Sequence, residues 1–146
     1  MAIIYATDFS ESAEPAQAQA IKLARALGTD MIILHVAVEV ALFGEWPFSM
    51  GEVERVDEAQ KQWATGMLDE RVQAARSQGV EARPELRRGV PFAVIVETAA
   101  ELGAEMIVVG THGRGGLQRF LLGSVAERVV RLAPCPVLTV RPGAQH

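Results

Sequence analysis

The stretch Met106–Ser124, MIVVGTHGRGGLQRFLLGS, decides the reading of this chain. Met106 to Val109 form a short apolar run that stops at Gly110, and further glycines follow at 113, 115, 116 and 123. Ser124 then opens VAERVVRLA, whose apolar residues recur at helical spacing. The pattern is a buried strand, a glycine-rich loop and a helix start, with Ser124 as the expected N-cap. Backbone N–H groups gathered by such a loop toward a helix N-terminus hold phosphate oxygens. The stretch therefore predicts a nucleotide site, which the rest of the chain must support.

Outward from it, strands and helices alternate. Ile3 to Tyr5 form a first strand ending at Ala6-Thr7-Asp8-Phe9-Ser10. Ser10 or Ser12 can cap the next helix, whose apolar positions 13, 16, 20, 21, 24 and 27 run to Gly28. Met31 to Val36 is apolar except for His35 and reads as a strand buried on both faces. The longest helix is expected from Glu52 to Gln78, with Val53, Val56, Trp63, Met67, Val72 and Ala75 on its inner face. Val80, Ala82, Pro84 and Leu86 alternate with charged residues, and Pro84 confines that strand to a sheet edge. Pro91 opens a helix that Gly103 ends, and Pro136–Arg141 supplies a last strand.

Strict alternation with short loops implies an α/β fold, one domain over residues 1–146 with a doubly wound, five-stranded parallel sheet and helices on both faces. The third and fifth strands carry edge signatures, which gives the order 3-2-1-4-5. The chain then winds in opposite directions from strands one and four, and ligands of such sheets bind in the crevice there. One wall of that crevice is Ala6-Thr7-Asp8 and the other Val109-Gly110-Thr111-His112-Gly113. Topology and the glycine loop thus point to one place.

Composition limits the alternatives. Of the 146 residues, 49% are hydrophobic and 22% charged, enough for a packed core. No apolar run approaches the roughly 20 residues of a membrane span, and MAIIYATDFS lacks the basic start and cleavage site of a signal peptide. A single cysteine, Cys135, excludes an internal disulfide and fits a reducing, cytoplasmic setting; between two prolines it reads as a small packed residue. The net charge of −4 disfavours general nucleic-acid binding. It is unevenly spread, −7 through Ala82 and +3 from Arg83 onward. That polarity suits an anionic ligand near the glycine loop, or simply solvated helix faces of different composition.

Neither a Walker GxxxxGK[ST] nor a GxGxxG after the first strand is present. What is present is Gly110-x2-Gly113-x9-Gly123-Ser124, with ATDFS after strand one, LHV ending strand two and APCPVLTVRP near the C-terminus. With these motifs the whole chain resembles the universal stress protein family, and within it the subgroup that binds ATP. The resemblance implies that Val36 contacts adenine through its backbone and that Asp8 lies at the adenine and ribose end. It implies that Gly110, Thr111, His112, Gly113, Arg114, Gly115 and Gly116 wrap ribose and phosphates, while Gly123, Ser124 and Val125 complete the cradle. It further implies ATP or another adenine nucleotide as ligand, with Mg2+ bridging phosphate oxygens. A homodimer paired through strand 136–141 follows from the same resemblance. Ala6 departs from the family, which often has proline there.

The blander roles stay open. Asp8 can tie its own loop or cap the first helix, His112 can pack the loop, and Arg114 and Arg119 can solubilise it. His35 reads as a satisfied core histidine, and Trp46 and Trp63 as structural. Residues 37–50, AVEVALFGEWPFSM, form an apolar loop that can cover a ligand, meet a partner or fold onto the core. Phosphoryl transfer needs a placed nucleophile and base, and only His112 and Asp8 offer themselves. The reading is thus a stress-response regulator whose loop changes with ATP occupancy and whose surface an unknown protein partner reads. A slow ATP hydrolase, a self-phosphorylating protein and a nucleotide-independent interaction module are its alternatives.

Overall fold

A computed structural model describes residues 1–38, 50–111 and 122–143. In chain order the elements are β1 (Ala2–Ala6), α1 (Glu14–Leu27), β2 (Asp30–Ala37), α2 (Met50–Ser77), β3 (Ala82–Arg88), α3 (Pro91–Leu102), β4 (Met106–Gly110), α4 (Ser124–Leu132) and β5 (Val137–Val140). The five strands form one sheet in the order β3-β2-β1-β4-β5, and every neighbouring pair is parallel. Ala6 stands opposite Leu34 of β2 and Val109 of β4, so the crevice expected from the topology lies where the strand order reverses.

The side-chain period of two divides the apolar strands between two cores. Ile3, Tyr5, Met31 and Ile33 pack on one face with Ala16, Ala20, Leu68 and Val72 of α1 and α2. Ile4, Ala6, Ile32, Leu34, Val36 and Val109 pack on the other with Ile95, Ala99, Ala126 and Val129 of α3 and α4. Burial on both faces explains why β1, β2 and β4 read as continuous apolar runs. Gly28 and Gly103 end α1 and α3 in the left-handed conformation, with φ of 64° and 61°.

Three expectations need correction. Neither Ser10 nor Ser12 caps α1 through its side chain: a 3-10 turn over Glu11–Ala13 intervenes, and Ala13 is the N-cap. Asp8 takes the Ser10 N–H instead, and the Ser10 hydroxyl is left buried with no hydrogen-bond partner among the described residues. The N-cap of α4 is Gly123, which makes Ser124 the first helical residue. The inner face of α2 is Ala64, Leu68, Val72 and Ala75, while Val56 and Trp63 are exposed. Val56, in the N-terminal turns, is half exposed, so an apolar pattern there does not imply burial.

Candidate nucleotide crevice

Each wall of the crevice is a strand end extended by one further hydrogen bond. The Thr7 N–H donates to the Leu34 carbonyl at 2.9 Å, and the Thr111 N–H to the Val140 carbonyl at 3.0 Å. Thr7 and Thr111 are both buried, polar residues at the rim of an apolar sheet. Ala6, Val36 and Val109 carry their side chains to the α3–α4 core, so any contact they offer a ligand is through the backbone.

Two short side chains shape the β1 wall. Thr7 Oγ1 accepts the Phe9 N–H at 2.9 Å, and Asp8 Oδ1 accepts the Ser10 N–H at 2.9 Å. These overlapping turns turn the chain sharply, and Phe9 sits at φ +66°, a left-handed conformation rare for a bulky residue. Asp8 therefore does tie its own loop, one of the two roles open to it in the sequence.

The β4 wall is closed on itself. The Gly123 N–H donates to the Thr111 carbonyl at 2.6 Å, and the Gly123 carbonyl accepts from Glu127 N–H at 2.9 Å. The Gly123–Thr111 bond sets the N-terminus of α4 beside the end of β4. Among the described residues no side chain caps that helix. The first N–H groups of an α-helix lack intrahelical acceptors, and they carry the positive end of its dipole. Ser124 and Val125 present such groups next to Gly110 and Thr111, which is a donor set suited to phosphate oxygens. His112, Gly113, Arg114, Gly115 and Gly116, together with Arg119, lie outside the described residues, as does most of the apolar 37–50 segment.

Four residues that the sequence did not mark as one group gather behind the β1 wall. The His35 Nδ1–H donates to the Thr7 carbonyl at 2.8 Å. Its ring stacks on Phe9 at 4.3 Å between centroids, and Trp63 of α2 meets Phe9 edge-on at 5.3 Å. The Arg71 guanidinium lies 5.4 Å from the Phe9 centroid and pairs with Glu14 at 3.1 Å. His35 is thus the satisfied histidine expected, but its acceptor belongs to the crevice wall. A polar residue inside MIILHVA was the available signal. Cys135 is half-buried and its thiol is pushed up by burial, hence protonated at neutral pH. Shallow concavities around Met1, Thr29, Asp30, Glu105 and around Arg76, Glu81 lie at the opposite end of the strands.

Comparison with known proteins places the chain in one family. Residues 1–141 match the model of the universal stress protein family. The chain is 38% identical over 139 residues to the universal stress protein MJ0531 of Methanocaldococcus jannaschii, covering 95% of this chain and 81% of that one. Among solved structures it resembles a universal stress protein from Archaeoglobus fulgidus in complex with dAMP (28% identity, TM-score 0.68, 97% and 98% coverage). It also resembles a universal stress protein in complex with cAMP (25% identity, TM-score 0.71, 97% of each chain).

Proposed function

The chain belongs to the universal stress protein family, and we propose that it holds an adenine nucleotide, ATP by its motif, in the crevice between Ala6-Thr7-Asp8 and Gly110-Thr111. The observation that carries this reading is the Gly123–Thr111 hydrogen bond, which brings the uncapped start of α4 to the end of β4. A sugar–phosphate lying there meets backbone donors from Ser124 and Val125, while the adenine faces the backbone of Val36. Glycine at 123 lets the chain approach phosphate closely, because no Cβ stands between backbone and ligand. The adenine nucleotides bound by the two solved relatives support the ligand class.

Mg2+ enters as the partner of the phosphates. Among the described residues no group of three acidic, histidine or cysteine side chains gathers to hold a metal, so the ion would depend on phosphate oxygens, as Mg2+ commonly does. Asp8 spends one carboxylate oxygen on its own turn, which favours a role in shaping the wall over activating a nucleophile. The reading is therefore retention of nucleotide, with occupancy ordering the 111–122 loop as the signal to a protein partner.

The β5 edge supports self-association in the same proposal. Pro136 and Val140 turn their carbonyls to β4, so strand alternation points the Val137 and Thr139 backbone outward, free for a second copy.

The test is nucleotide released on denaturing freshly purified protein, joined to calorimetric titration with MgATP and with EDTA plus ATP. Binding that Gly123→Val abolishes, with circular dichroism unchanged, is the expected result. Unaltered affinity in that folded variant would remove the assignment of the site.

A further inference from the structure

We propose that Phe9 and His35 are a positioning pair that sets the affinity of the crevice by holding Asp8 from both sides; this rests on the nucleotide reading above. Asp8 lies between Thr7 and Phe9, and one imidazole ring engages both neighbours. Its Nδ1–H fixes the Thr7 carbonyl at 2.8 Å, and its face supports the Phe9 ring at 4.3 Å with 25° between the planes. Because a carbonyl can only accept, Nδ1 carries a proton.

The left-handed Phe9 shows that this support has something to hold. A non-glycine residue at φ +66° stores backbone strain, and such strain persists only where the surroundings over-determine it. Here the surroundings are His35 on one side of the ring, the Trp63 edge and the Arg71 guanidinium. Arg71 is itself held by Glu14 of α1, so the turn is clamped between α1, α2 and β2. The fold does not need the clamp. β1 is paired from Ala2 to Ala6 with β2 and from Ile3 to Ala6 with β4, and Thr7 N–H adds its own bond to Leu34, all below the turn. What the pair determines is the direction in which Thr7 and Asp8 leave the sheet, hence the shape of the wall.

The geometry distinguishes positioning from bulk packing through paired substitutions. His35→Leu removes the Nδ1–H and the stack, while His35→Asn keeps an N–H close to the Nδ1 position. Phe9→Ala keeps a Cβ in a left-handed backbone without the ring, while Phe9→Gly adopts that backbone without strain. MgATP titration should give about a tenfold loss of affinity for His35→Leu, the scale of a lost hydrogen bond, and partial recovery in His35→Asn. Phe9→Gly should bind more tightly than Phe9→Ala, although glycine is the more entropically costly residue in the unfolded chain. Amide exchange at Phe9 and Ser10, whose N–H groups are held by Thr7 Oγ1 and Asp8 Oδ1, should speed up in His35→Leu while core amides stay protected.

Folded His35→Leu with wild-type affinity and unchanged exchange at Phe9 and Ser10 would overturn the pair. So would Phe9→Ala binding as well as Phe9→Gly, the comparison that decides if His35→Leu fails to fold. Wild-type protein that binds no adenine nucleotide would instead defeat the nucleotide reading, and the pair with it.

Discussion

Tyr5 is the only tyrosine in the chain, so its ionisation can be followed without interference from another phenol. It is 1% exposed near the end of β1, and its hydroxyl donates to the Ala13 carbonyl at 2.9 Å, just before α1 begins. Burial, the dominant cause, pushes the phenol up to about 12 from an ordinary value of about 10; nearby Glu14 adds to the rise, while Thr7 and Arg71 oppose it. The folded state thus holds the proton that the unfolded chain releases. Stability from this group is complete below pH of about 10 and falls as pH rises toward and through the folded value of about 12. Two units correspond to about 3 kcal/mol in full, of which about 2 kcal/mol is lost by pH 12. Tyr5→Phe provides the control. At neutral pH it should be less stable by about 1 kcal/mol, since the Ala13 carbonyl loses its donor. Every other ionisable group is common to both proteins, so the difference between their urea-unfolding free energies isolates Tyr5. That difference should shrink above pH 10 and change sign before pH 12. In the folded wild type, near-ultraviolet phenolate absorbance should stay absent at pH of about 10 and grow only toward about 12 or as the protein unfolds. Phenolate forming at about pH 10 with the fold intact, or two pH curves that stay parallel, would refute the reasoning.

Gly89 has φ +141°, and a Cβ there would meet Val94 Cγ2 at 2.9 Å; Gly89→Ala should lower the urea-unfolding free energy by about 1–3 kcal/mol. Adding Val94→Ala should recover only the steric part, because the backbone strain remains. Thr139→Pro removes an outward-facing N–H and none that serves β4, so light scattering should show a dimer becoming a monomer of unchanged circular dichroism. A variant that stays dimeric would place the self-contact elsewhere. ADP release from MgATP should stay below about 1 s⁻¹, the low end of ordinary enzymes, and faster turnover that Asp8→Ala abolishes would make the protein a hydrolase.

The strand order was legible because it follows from features that need no side-chain geometry. Apolar runs without alternation mark β1, β2 and β4 as interior, and Pro84 marks β3 as an edge. Pro91 and Gly103 delimit α3 to the residue. The inner face of α2 was less legible, since its N-terminal turns carry Val56 on an exposed face. Periodicity reports which residues share a side of a helix and says nothing of how far the helix has something to pack against.

The two walls of the crevice were legible to different degrees for the same kind of reason. The β4 wall, in its described residues, sets Gly110 and Thr111 beside Gly123, and a glycine spacing is visible as letters. The β1 wall depends on how three consecutive residues share their polar atoms. From ATDFSES, serine at 10 or 12 is the better helix cap by propensity. In the fold Thr7 and Asp8 bond forward first, which consumes the N–H groups of Phe9 and Ser10 and forces Phe9 left-handed. That outcome costs backbone strain, and it wins because β2 places His35 under the turn and α2 places Trp63 and Arg71 around it. Those partners are distant in the chain, so no local window contains the choice. The departure from local preference falls beside Asp8, at the point where the sheet reverses, and there a fixed backbone direction decides what ligand the wall can meet.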